Sequence, residues 1–96
     1  KACTAWIAAK PDAYEGYFWR GIEHAEKDKH DLAIADYDKA IAIAPDYVDA
    51  LRARAFSLKA AGKREAALED LKRAEKLEPD NPHIKRALRE YGDTKP

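Results

Sequence analysis

A Pro-Asp dipeptide recurs at a fixed interval of 34 residues along this chain, starting at Pro11, Pro45 and Pro79. The same offset aligns small residues with small residues and large residues with large ones. The aligned pairs are Gly21 with Ala55, Ala33 with Ala67, Tyr37 with Leu71, Ala40 with Ala74, and Ile43 with Leu77. A period of this length is typical of repeat proteins, in which stacked units share a continuous core. The spacing therefore restricts the chain to an array of similar units.

Each unit is predicted to contain two helices. In residues 30–44 the apolar side chains mostly follow i, i+3, i+4 spacing, which indicates a helix with one buried stripe. Gly62 predicts a left-handed stop between two helices of the second unit, and Asn81 before Pro82 predicts the start of a last helix. Twenty alanines favour helix and allow helices to approach closely. The predicted helices are 13–27, 30–44, 48–61, 64–78 and 82–91, with Gly92 as the terminator.

The chain is short enough for one domain, which we predict to span residues 1–96. Trp6 falls where Ala40 and Ala74 lie in the repeats, and an indole cannot fit the close crossing that alanine makes. The first helix is therefore expected either to cap the open end of the stack or to contribute to an oligomer contact. The predicted parts are an N-terminal capping helix at 1–10, repeat 1 at 12–45, repeat 2 at 46–79, a closing helix at 80–92 and a tail at 93–96.

Charge and composition argue against several functional classes. The 18 basic and 18 acidic residues cancel, so the chain lacks the overall basic footprint of a nucleic-acid-binding protein. Residues 1–50 carry a net charge of about −4 and residues 51–96 about +4, a layout that permits head-to-tail contacts between copies. The single cysteine, Cys3, excludes an internal disulfide.

No motif for catalysis, a metal or a cofactor is found, so we expect a non-enzyme that uses none of these. His24 is expected to be a core residue, whereas His30 and His83 lie near predicted helix starts and are expected to be exposed. No apolar run reaches the roughly 18 residues of a membrane span. The sequence favours the cytoplasm slightly, with periplasmic and secreted locations left open.

Two segments resemble the second helix of the tetratricopeptide repeat. They run Asp-Leu-Ala-Ile-Ala-Asp-Tyr-Asp-Lys-Ala-Ile-Ala-Ile-Ala-Pro at 31–45 and Glu-Ala-Ala-Leu-Glu-Asp-Leu-Lys-Arg-Ala-Glu-Lys-Leu-Glu-Pro at 65–79. The resemblance implies an all-α, right-handed superhelical α-solenoid of antiparallel helix pairs, with about six helices. Departures from the family pattern include Arg20 and Arg54, where leucine is usual, and His24, where tyrosine is usual.

The resemblance also implies a concave groove, lined by the first helix of each repeat, that holds a partner peptide or protein. The partner-binding residues it predicts are Phe18, Trp19, Ile22, Arg52, Phe56, Lys59 and Arg86. The arginines could pair with ligand carboxylates. Family members that bind chaperone tails carry asparagine at position 6, where this chain has Trp19 and Ala53, so that specificity is not expected. We expect no small-molecule, nucleic-acid or membrane partner; a self-associating scaffold and, less favoured, an RNA-binding α-repeat are the alternatives.

Overall fold

The computed structural model describes residues 14–92, and all regular secondary structure in that range is helical. The five helices are α1 (Tyr14–Glu26), α2 (His30–Ile43), α3 (Val48–Ala60), α4 (Arg64–Leu77) and α5 (Pro82–Gly92). The all-α prediction is confirmed, with five helices for the expected six. The predicted capping helix at 1–10, with Trp6 and Cys3, and the tail at 93–96 lie outside the described residues.

The helices stack in chain order. α1 packs on α2 and α3 packs on α4, which forms the two predicted helix pairs, while α2 contacts α3 and α4 contacts α5. The first helices of the two repeats, α1 and α3, also contact each other. This connectivity places α1, α3 and α5 along one side of the solenoid. The core contains Tyr37, Leu51, Leu71 and Ile84, all with at most 1% of their surface exposed.

Small residues at the helix crossings allow this close packing. The alanines at equivalent positions of α2 and α4 (Ala33, Ala40, Ala67 and Ala74) are completely buried. Gly21 lies against the Tyr37 ring so closely that a Cβ atom built there would stand 2.5 Å from Tyr37 Cε1. Such a distance is far below van der Waals contact, so a side chain at residue 21 would displace the ring.

The two turns inside the repeats have the same backbone geometry, and their central residues, Asp28 and Gly62, are 34 residues apart. Both adopt a left-handed conformation, with φ of 63° at Asp28 and 85° at Gly62. In each turn a lysine N–H reaches back over the helix end: Lys29 to the His24 carbonyl at 2.8 Å, and Lys63 to the Leu58 carbonyl at 2.7 Å. The predicted helix stop at Gly62 is confirmed. Asp28 adopts the same left-handed conformation, which is less favourable for a residue with a side chain than for glycine.

The start of α5 is capped as predicted. Asn81 Oδ1 accepts hydrogen bonds from the backbone N–H groups of His83 at 2.8 Å and Ile84 at 3.4 Å. Pro82 occupies the first helical position, where its missing N–H has no helical partner to lose. Within residues 14–92, no helix has both the length and the apolar character that a membrane crossing requires.

Candidate binding groove

An open cavity of about 810 Å³ runs along the side of the solenoid formed by α1, α3 and α5. α1 and α3 contribute four residues each to its lining, α5 contributes five, and α2 contributes one tyrosine. The lining residues are Phe18, Ile22, Ala25 and Glu26 from α1; Asp49, Arg52, Ala53 and Phe56 from α3; His83, Arg86, Ala87 and Glu90 from α5; and Tyr37 and Tyr91. We call this surface the groove.

Five of the seven predicted partner-binding residues line the groove. They are Phe18, Ile22, Arg52, Phe56 and Arg86. Trp19 and Lys59 are not among the lining residues. Trp19 is half exposed and packs edge-on against Phe18, with ring centroids 5.1 Å apart, so it lies beside the groove. Lys59 Nζ lies 5.0 Å from the centroid of the Tyr91 ring, at the margin.

Phe18 is less accessible than its predicted role in partner binding implies. Only 7% of its surface is exposed. Its ring packs against Tyr47, at a centroid distance of 5.1 Å, and against Tyr37, at 6.1 Å. Side chains from α2 and from the turn after it therefore cover most of the Phe18 ring. The sequence pattern of α1 alone could not show this burial, because Tyr37 and Tyr47 lie outside α1. Phe18 forms part of the groove wall rather than a protruding anchor.

Phe56 is the most exposed large apolar side chain among the described residues, at 55%. It lies on α3, and its ring meets the His30 ring edge-to-face at 5.9 Å. His30 is held in turn by Ser57 Oγ, 3.1 Å from its Nδ1, and by Asp28 Oδ1, 3.1 Å from its Nε2. The expectation that His30 is exposed is therefore wrong, since only 14% of its side chain is accessible. An aromatic ring such as that of Phe56, held in place on one side and exposed to water on the other, is typical of a residue that anchors a partner.

Two arginines in the groove are only loosely paired. Arg52 Nη1 lies 3.4 Å from Asp49 Oδ1, and Arg86 Nε lies 3.8 Å from Glu90 Oε2. Both contacts connect residues on the same helix and lie at the surface, where such pairs contribute at most about 1 kcal/mol. Guanidinium donors thus remain for other acceptors at both positions.

Two other arginines, Arg20 and Arg54, are tightly paired away from the groove. Arg20 donates to both carboxylate oxygens of Asp36, at 2.9 and 2.7 Å. Arg54 donates twice to Asp70, at 2.7 Å each, and once to Asp38 at 2.7 Å. The sequence marks both arginines only as departures from the usual leucine and does not reveal their partners. A usable signal existed, since Arg20 to Asp36 and Arg54 to Asp70 have the same separation in each repeat.

These bonds hold the arginines in their charged form. Hydrogen bonding to Asp36 raises the pKa of Arg20, and hydrogen bonding to Asp70 and Asp38 raises the pKa of Arg54, in each case against the opposing effect of burial.

His24 is half-buried rather than a full core residue, and its Nε2 lies 3.5 Å from Asp36 Oδ2. Burial, with a smaller contribution from Asp36, raises the pKa of Tyr37 to about 12. The Tyr37 hydroxyl therefore remains neutral at physiological pH.

The groove combines apolar and charged side chains. Its lining offers aromatic rings, small apolar side chains and surface guanidinium and carboxylate groups. Among residues 14–92, no group of three or more histidine, cysteine, aspartate or glutamate side chains could hold a metal ion. Ser57 is hydrogen-bonded to His30 but is fully buried, so its hydroxyl is not accessible to a substrate.

Comparison with known proteins identifies the class to which this fold belongs. Residues 14–47 match the family model described as "Tetratricopeptide repeat". The match begins at the tyrosine that opens α1 and ends in the turn before α3, so it spans one helix pair. The chain therefore carries a tetratricopeptide repeat, and the predicted resemblance is confirmed.

Solved structures extend the similarity beyond this one repeat. The first tetratricopeptide domain of Spaghetti (RPAP3), bound to the HSP90 peptide SRMEEVD, is 27% identical, with a TM-score of 0.90 over 94% of this chain and 71% of that one. The first such domain of human RPAP3 gives the same values. The MamA protein is 27% identical with a TM-score of 0.74, over 81% of this chain and 43% of its own. A search of curated protein sequences gives no significant match.

Proposed function

We infer that this chain is a protein-interaction module that binds a segment of a partner protein in the groove. The observation that carries this proposal is the position of Phe56: more than half of its ring is exposed, and it lies in a cavity lined by the three helices on one side of the solenoid. Exposed aromatic side chains in concave, partly apolar sites are enriched among residues that dominate binding free energies.

The fold comparison supports the same class of function. Proteins with this repeat are generally non-catalytic interaction modules, and the similar domain of RPAP3 is described with a bound peptide from HSP90. Whether this chain takes a chaperone tail is a separate matter. The residues that argued against that specificity, Trp19 and Ala53, differ from the asparagine that such tails require, and we retain that expectation.

Self-association is the second candidate. It is favoured by the opposite charges of the two halves of the sequence, about −4 and +4, which attract when copies meet head to tail. Sedimentation over a wide concentration range separates the two proposals. A strict monomer that still binds peptides supports the groove, whereas concentration-dependent assembly that blocks peptide binding supports the scaffold.

The groove proposal is tested by selecting a random peptide library displayed on phage against the folded chain. Recovered peptides are expected to bind the Phe56→Ala variant at least about tenfold more weakly than the unaltered chain, because truncating an interface anchor typically removes about 2 kcal/mol or more of binding free energy. Circular dichroism should show unchanged helicity, since this ring is already half in water.

Leu77→Ala is the matched control, because Leu77 is also an exposed large apolar residue (39%) but lies on α4, outside the groove. Trp19→Ala measures whether the binding surface extends beyond the groove. Equal losses for Phe56→Ala and Leu77→Ala, or failure to enrich any peptide, would contradict the proposal.

A further inference from the structure

The groove changes character from one end to the other. Residues 34 positions apart occupy equivalent places on α1, α3 and α5, so each row of equivalent residues can be followed along the groove. One row runs Phe18, Arg52, Arg86, and the neighbouring row runs Ile22, Phe56, Glu90. The α1 end is therefore lined mainly by apolar side chains, and charged side chains appear progressively toward α5.

The arginines at the charged end differ from those that support the fold. Arg20 and Arg54 each donate two hydrogen bonds of 2.7 to 2.9 Å to a buried carboxylate. Arg52 makes a single bond of 3.4 Å, and Arg86 approaches Glu90 only to 3.8 Å, with 71% of its side chain exposed. A charge-assisted bond of full strength is shorter, about 2.7–2.9 Å. Arg52 and Arg86 are thus available to an incoming carboxylate, which can displace weak partners on their own helices.

The surrounding charge favours an acidic ligand at this end. Asp49 and Glu90 balance the two groove arginines locally, so the wider field decides which sign of ligand is attracted. Residues 51–96 carry a net charge of about +4, and Lys59 lies at the groove margin above the Tyr91 ring. Residues 1–50 carry about −4, and Glu26 lines the apolar end, which disfavours acidic side chains there. The potential therefore orients a ligand as well as attracting it.

We propose that the groove takes an internal segment of a partner protein in which an apolar block and an acidic block are separated along the chain. The apolar block lies against Phe18, Ile22 and Phe56, and the acidic side chains pair with Arg52 and Arg86. This inference rests on the proposed function. Because position 6 holds Trp19, Ala53 and Ala87 rather than side-chain amides, recognition requires no free terminal carboxylate.

The test uses synthetic fluorescent peptides of about 12 residues, which span roughly 40 Å when extended. Each is amidated at its C-terminus and contains a block of Leu, Phe and Ala and a block of Glu and Asp, in both orders. Three comparison peptides carry the same residues interspersed, Gln and Asn in place of the acids, or a free C-terminal carboxylate. Fluorescence anisotropy at two salt concentrations gives the dissociation constants.

At least one segregated peptide is expected to bind about tenfold more tightly than its interspersed and neutral counterparts, with the gap narrowing in high salt. The Arg52→Gln/Arg86→Gln variant should lose that advantage. The control Lys85→Gln/Arg89→Gln removes the same charge from exposed positions on α5 outside the groove and should stay within about twofold, which matches the small effect of distant surface charges.

Equal binding of the acidic and neutral peptides overturns the inference, as does a requirement for the free carboxylate or failure of every segregated peptide to bind. The proposed function is judged separately, by Phe56→Ala against library-selected peptides. If neutral peptides bind and still depend on Phe56, the groove stands and only the acidic preference fails.

Discussion

At the scale of single residues, the two repeats solve one packing problem in two ways. The crossing of α1 and α2 combines Gly21 with the large ring of Tyr37, whereas the equivalent positions in α3 and α4 combine Ala55 with Leu71. All four residues are buried. The smaller residue in the first helix thus accompanies the larger one in the second. The two repeats differ at both positions, but the two side chains together fill a similar volume.

We expect Gly21→Ala to destabilise the chain by about 1–3 kcal/mol, because the new methyl group meets the Tyr37 ring and overpacking exceeds the gain in helix propensity. Urea unfolding followed by circular dichroism measures the change. Tyr37→Leu alone leaves a gap and is also destabilising.

The double variant Gly21→Ala/Tyr37→Leu recreates the Ala55 and Leu71 combination and serves as the check. It should be more stable than the sum of the two single changes predicts, by about 1 kcal/mol or more. Strict additivity would show that the crossing accommodates each residue independently of the other.

At the scale of helices, Arg54 connects three elements. It lies on α3, pairs with the buried Asp70 of α4 in its own repeat, and reaches Asp38 of α2 in the repeat before. Arg20 makes the equivalent bonds to Asp36 within the first repeat. Arg54 therefore fixes the helices of one repeat and also the junction between the repeats, on which the alignment of α1 with α3 depends.

Removing either carboxylate separates the two roles of Arg54. Asp70→Asn should destabilise the chain by about 2–3 kcal/mol, somewhat less than is usual for breaking a buried ion pair, because Asp38 still partners the guanidinium. Asp38→Asn should lower the free energy of unfolding by less than about 1 kcal/mol, since 55% of the Asp38 side chain is exposed.

Asp46→Asn, at an exposed position in the turn between α2 and α3, controls for the general loss of a negative charge. Thermal unfolding at two salt concentrations measures all three variants. Comparable losses for Asp70→Asn and Asp38→Asn would mean that burial of the pair does not determine its contribution.

At the scale of the whole molecule, the helices could be predicted from the sequence because the spacing of apolar residues and the helix end signals lie within each helix or next to it. The stop at Gly62 and the cap at Asn81 depend on residues beside them in the chain, and they were predicted correctly. Phe18 and His30 were misjudged because their burial depends on side chains from other helices. The Arg54 bridge was missed for the same reason, although the repeat spacing contained a signal for it.

The candidate site follows the same division. The family resemblance implied which residues face the groove, and five of the seven line the cavity. The register alone could not show that Trp19 lies beside the groove, since it depends on how α1 ends the described stack. Nor could it distinguish the loosely paired Arg52 from the tightly paired Arg54, two residues away on the same helix.

The central claim, that a partner segment occupies the side formed by α1, α3 and α5, is tested most directly by amide NMR. Spectra of the isotope-labelled chain are recorded with and without a library-selected peptide. The account predicts that the largest chemical-shift changes fall on these three helices, around Ile22, Ala53, Phe56 and Ala87. Changes concentrated instead on the outer faces of α2 and α4, around Ile43 and Leu77, would contradict it.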